Sequence, residues 1–207
     1  MPAVAVTRQP VYGLPGGRLA IAVSGTQAQT SATATTNYTV AVGAVNILVV
    51  VGNGVSPTGA PTQTGVTWTL IGAATATTCK IYTYVGIATS PTPSATLTVV
   101  LSGAAASGIF LFTVAGIQGI PEQLATAGSV VTLSIRAMRA VFSLGVMAGG
   151  STSSSILPPT NQGWTVLWNA FSAGGYKTTV CWRPAGPSSL SGATFVGSAT
   201  LLLANLF

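Results

Sequence analysis

Val45-Asn46-Ile47-Leu48-Val49-Val50-Val51 is the stretch whose reading decides the fold. It is short, almost continuously apolar, rich in side chains branched at Cβ, and followed by the turn pair Asn53-Gly54. Branching at Cβ restricts χ1 against the preceding turn of a helix but packs well on a pleated surface. A run of this length bounded by turn residues is the pattern of a central strand buried on both faces.

Outward from this run the same period continues. Tyr38 to Val42 precedes it, and Pro57 to Pro61 punctuate the chain beyond its turn. Thr64 to Ile71 sets Val66, Trp68 and Leu70 on one face against Thr67 and Thr69, the period-two alternation of a half-buried strand. Thr78 to Ala88 sets Cys79, Ile81, Thr83 and Val85 against Lys80, Tyr82 and Tyr84. After the turn Ser90-Pro91-Thr92-Pro93, Leu97, Val99 and Leu101 alternate with Thr96, Thr98 and Val100. Ser107 to Ile117 is a further apolar strand, stopped by Gly119 and Pro121.

Leu133 to Val146 contains good helix formers, but Val141, Phe142 and Val146 with flanking glycines favour two strands, Val130 to Ile135 and Arg139 to Met147. Gly149 to Pro159 is a Ser-rich loop, and strands at Trp164 to Trp168, Lys177 to Trp182 and Ala193 to Leu206 close the chain. Nine or ten short strands at roughly 8–12-residue spacing predict an all-β fold, an antiparallel β-sandwich. An eight-stranded jelly roll is the specific expectation, because closure leaves few free edges in a chain lacking the lysines that normally guard them.

The first 25 or so residues alternate short apolar pieces with Pro and Gly, which fits an extended arm or an edge strand, and residues 26–36 are small and polar, a loop or a weak exposed strand. The expected division is therefore an extended N-terminal arm and polar loop over 1–36 and a single β-sandwich domain over 37–207. Within the arm, Arg8, Tyr12 and Arg18 are the residues expected to bind a partner.

Composition narrows the function. Apolar residues make up 48% of the 207, enough for a core, but charged residues only 4%, against about a quarter in ordinary globular proteins. A surface so poor in charge keeps few of the repulsions that hold soluble monomers apart, so the expected partners are copies of itself and other proteins of an assembly. The net charge of +6 reflects missing acid more than clustered base. Nucleic-acid binding requires several phosphates to be neutralised together, and the closest cationic pair is Arg136 and Arg139. That density argues against a nucleic-acid partner.

The N-terminus shows no charged segment followed by an apolar one as secretion requires. No apolar run reaches the roughly 18–20 residues of a membrane-spanning helix. Cys79 and Cys181 both lie in expected strands. Two small buried hydrophobes is the default reading for them, with a disulfide left open.

The order of pieces resembles a β-sandwich module found in phage virion proteins and in some bacterial surface proteins. The resemblance is carried by Gly65-Val66-Thr67-Trp68-Thr69-Leu70-Ile71-Gly72, Ile81-Tyr82-Thr83-Tyr84, and Ala95-Thr96-Leu97-Thr98-Val99-Val100-Leu101-Ser102-Gly103. Thr113-Val114-Ala115-Gly116-Ile117, Gly119-Ile120-Pro121 and an apolar closing strand complete it. It covers about residues 40–207 and implies a rigid scaffold displayed on a particle or filament, with no catalytic residues. The expectation is a virion structural protein, a capsid decoration, cement or shell component assembled in a host cytoplasm. The alternative is a receptor- or carbohydrate-binding module at a fibre tip.

Chemistry available to the side chains points the same way. The chain has no histidine, no aspartate and a single glutamate, Glu122, so a Ser–His–Asp or Cys–His arrangement cannot form within it. One glutamate and two cysteines fall short of zinc or hard-metal ligation, and neither a metal nor a cofactor is expected. A Ser–Lys dyad on Lys80 or Lys177 is open in principle, although no spacing supports it. Gly13-Leu14-Pro15-Gly16-Gly17 lacks the Lys-Ser/Thr of a phosphate loop, and Asn37-Tyr38-Thr39 is a glycosylation sequon without an export signal. Trp164, Trp168, Trp182 and Tyr176 either line a sugar-binding face or pack in the core, and their apolar neighbours favour the core.

Overall fold

The computed structural model describes residues 20–40, 44–75, 79–89, 95–115, 122–127, 130–133, 140–149, 163–171, 177–184, 193–196 and 199–206. Among them every regular element is a strand and none is a helix. In chain order these are β1 (Ala20–Gln29), β2 (Thr33–Tyr38), β3 (Val45–Asn53), β4 (Val66–Thr75), β5 (Cys79–Ala88), β6 (Ala95–Val100) and β7 (Ser107–Ala115). Next come β8 (Glu122–Ala127), β9 (Val130–Leu133), β10 (Ala140–Gly149), β11 (Thr165–Phe171), β12 (Lys177–Pro184), β13 (Ala193–Val196) and β14 (Ala199–Leu206).

Two five-stranded antiparallel sheets dominate, in the orders β1-β7-β3-β5-β4 and β11-β12-β10-β14-β8, with two-stranded pairs β2-β6 and β13-β9 beside them. β4 and β5 lie against β8, β10 and β14, and β1 approaches β11, so the two large sheets pair edge with edge in a sandwich-like arrangement. Each large sheet is drawn from one half of the chain, and neither shows the four-plus-four strand order of a jelly roll.

β3 occupies the centre of the first sheet, bonded to β5 on one side and β7 on the other, and everything from Val45 to Gly52 is buried. Leu48 and Val50 join Trp68, Tyr84, Ile109 and Leu111 on one face, which the β2–β6 pair covers with Ala34, Tyr38, Leu97, Val99 and nearby Leu101. Ile47, Val49 and Val51 point the other way with Ile81, Val85, Phe110 and Phe112, and these too are buried. The alternations read over β4, β5 and β6 are therefore present. Leu70 is the exception in burial, 50% exposed on the edge strand β4.

The strand count differs from the nine or ten expected. β1 and β2 take up the edge-strand and weak-strand alternatives open for the first 36 residues, β8 is a strand the side-chain pattern does not announce, and the closing apolar segment divides into β13 and β14. β1 pairs with β7 along its length, with a bulge between Val23 and Gly25. Backbone hydrogen bonds on a sheet edge are indifferent to side chain, so a mixed segment such as β1 can pair there. Residues 20–29 of the expected arm thus form an edge strand of the molecule's own sheet, whereas residues 1–19, with Arg8, Tyr12 and Arg18, lie outside the described residues.

Two polar side chains hold this architecture from within. Asn46, buried in β3, donates from Nδ2 to the Ala44 carbonyl at 3.2 Å and the Gly86 carbonyl at 3.5 Å, and accepts from Thr113 Oγ1 at 3.4 Å. Gln63 is buried beyond the end of the β2–β6 pair, where Nε2 donates to the carbonyls of Tyr38 at 2.8 Å and Ala95 at 3.0 Å. Those two residues face each other in the register, so one amide group closes the pair's open end.

Candidate functional site

β5 presents Lys80 and Tyr82 on one face, two residues apart. The chain leaving β3 turns at Gly54, whose φ of 72° lies in the left-handed region. At Gly52 an added Cβ would collide with the Val55 carbonyl oxygen, so the return of this connection requires glycine. The segment then runs beside the end of β6. Pro57 bridges Leu101, Thr58 N donates to the Val100 carbonyl at 2.9 Å, and Ser102 N donates to the Ser56 carbonyl at 2.8 Å. Ser56 N donates in turn to Ser102 Oγ at 3.1 Å.

That clasp fixes Ser56 over Lys80 and Tyr82. Tyr82 Oη donates to Ser56 Oγ at 2.9 Å and Lys80 Nζ donates to the same oxygen at 3.2 Å, both partly buried. Tyr84, next on this face, is pushed above the ordinary tyrosine range, first by burial and second by Tyr82. Tyr38, in the β2–β6 pair that covers this face, is pushed up to about 12 by burial, which the Thr36 hydroxyl opposes.

The fold therefore brings a serine to Lys80, which no spacing announces, since the two stand 24 positions apart. Both hydrogen bonds run into Ser56 Oγ. The arrangement is thus donor-rich around a hydroxyl oxygen. Ser56 and Ser102 carry no motif that sequence reading could find, because they meet only through the register of β3, β5 and β6.

The remaining candidates are dispersed. Cys79 and Cys181 are buried thiols and form no disulfide. Asn37 Oδ1 accepts from Thr96 Oγ1 across β2–β6 at 2.8 Å, which engages the sequon amide. Trp164 is half-buried just before β11, Trp168 pairs with Val180, and Trp182 pairs with Thr165 and Leu144. Glu122 opens β8 opposite Ala204, and Lys177 opens β12 opposite Gly149 and Phe171. Tyr176, Arg136 and Arg139 lie outside the described residues. Among the described residues no three His, Cys, Asp or Glu gather as a metal site, and no helix is long and apolar enough to cross a membrane.

Fold and site together define an all-β protein of antiparallel sheets with a serine clasp on one face. Comparison with protein-family models, curated proteins and solved structures finds no match to this chain.

Proposed function

We propose that the chain is a structural subunit of a virus particle, of the capsid decoration, cement or shell kind, acting by contacts with its own copies and neighbouring virion proteins rather than by catalysis. The observation that carries this reading is the charge content, 4% with one acidic side chain in 207 residues. Solubility as a free monomer draws on charge repulsion, whereas a subunit held by neighbours does not need it. A β core buried on both faces of β3 supports the same reading, since it supplies a scaffold.

The test is sedimentation and native mass measurement of the isolated chain in low salt at high concentration. Self-association is the expected result, and a chain that stays monomeric removes the main support. A fibre-tip glycan binder is the second reading, favoured by the half-buried Trp164 beside exposed Val166 at the edge strand β11. Saturable binding of an oligosaccharide that W164A abolishes would decide for it.

A further inference from the structure

We propose that Ser56, Lys80 and Tyr82 form a docking point for a carboxylate carried by a protein partner. The inference deepens the assembly reading and rests on it for the partner's setting; the site's chemistry rests on its hydrogen bonds.

An ammonium has three protons and a hydroxyl oxygen two lone pairs. Lys80 gives one proton to Ser56 Oγ, and Tyr82 gives its own to the same oxygen. With Lys80 and Tyr82 both placed to donate to Ser56 Oγ, the serine's own proton is left to point outward, alongside the remaining protons of Lys80. Two donor groups 3.2 Å apart can each take one oxygen of a single carboxylate. The chain itself is short of such acceptors, with seven Lys and Arg against one Asp or Glu, so most of its cations cannot be paired with carboxylates of its own side chains.

The clasp makes the site more than a surface lysine. Ser56 is held on both sides of its peptide by Ser102, and the donors are partly buried. A pre-ordered, partly desolvated donor pair loses little freedom on binding, and its bonds to an anion are charge-assisted. A carboxylate fits better than a nucleic acid, because one lysine neutralises one charge where a nucleic-acid backbone demands several.

The test is a titration of the full isotopically labelled chain with a tetraglutamate peptide at low salt, followed by amide resonances, with a DNA duplex in parallel. Saturable shifts confined to Ser56, Lys80, Tyr82 and Ser102 are expected. K80Q should weaken binding at least about tenfold while K80R keeps it within about threefold. If K80Q loses the dispersed spectrum of a folded chain, S56A carries the test: it keeps the charge, and must still weaken binding at least about threefold. Absence of saturable shifts, shifts that persist in K80Q or S56A, or tighter binding of the duplex at these residues would overturn the proposal. Failure here leaves the self-association result standing. A monomeric chain that binds the peptide would uphold the site and remove the assembly.

Discussion

At the scale of single residues, the clearest constraint is the contact between Trp68 and Gly86. They face each other across β4 and β5, and a Cβ on Gly86 would stand 2.5 Å from Trp68 Cζ3 and 2.7 Å from Cη2. Trp68 is buried, so its ring cannot simply swing into solvent. G86A should therefore destabilise the chain by about 1–3 kcal/mol, measurable by urea denaturation. Tyr38 gives a pH dependence. Its folded pKa of about 12 lies above the ordinary 10.0, so burial favours the neutral phenol. The contribution is complete below about pH 10 and fades as pH rises toward 12. Wild type should lose about 1 kcal/mol between about pH 9 and about pH 11 that Y38F retains, in denaturant melts at both values.

At the scale of elements, two leucines of the same face separate burial from pattern. Leu48 is fully buried in the central strand β3, and Leu70 is half exposed on the edge strand β4. L48A should cost about 2–5 kcal/mol, and L70A no more than about 0.5 kcal/mol. Equal losses in chemical denaturation would mean that β4 is covered in solution. The period-two pattern places Leu70 on the face of Val66 and Trp68, and the strand register adds Leu48 to that face through Tyr84. How far the cover extends across the sheet belongs to β2 and β6 and cannot be read from β4 itself.

At the scale of the whole molecule, the described pairing of the first large sheet begins at Ala20. Pro2, Pro10 and Pro15 cannot donate backbone hydrogen bonds, which favours an extended segment reaching a neighbour. A chain starting at residue 20 should keep its cooperative melt and lose attachment to particles, scored by co-sedimentation. A truncated chain that still attaches would refute the arm. Arg8, Tyr12 and Arg18 would then have no role in partner binding.

The sequence by itself determined the all-β class, the central position of Val45 to Val51, and the faces of β4, β5 and β6. These follow from side-chain periods of two and from branching at Cβ, both local properties. It also determined which chemistry the chain lacks, because absent residue types are absent in any fold. Only the tertiary structure decided the rest. Which strands β1 and β2 pair with, β7 and β6, is set by backbone pairing and place on a sheet, which their own residues do not encode. The clasp of Ser56 on Lys80, Tyr82 and Ser102 joins positions up to 46 apart. Such a site exists only once strand register is fixed, and register is set by the burial of whole faces against one another.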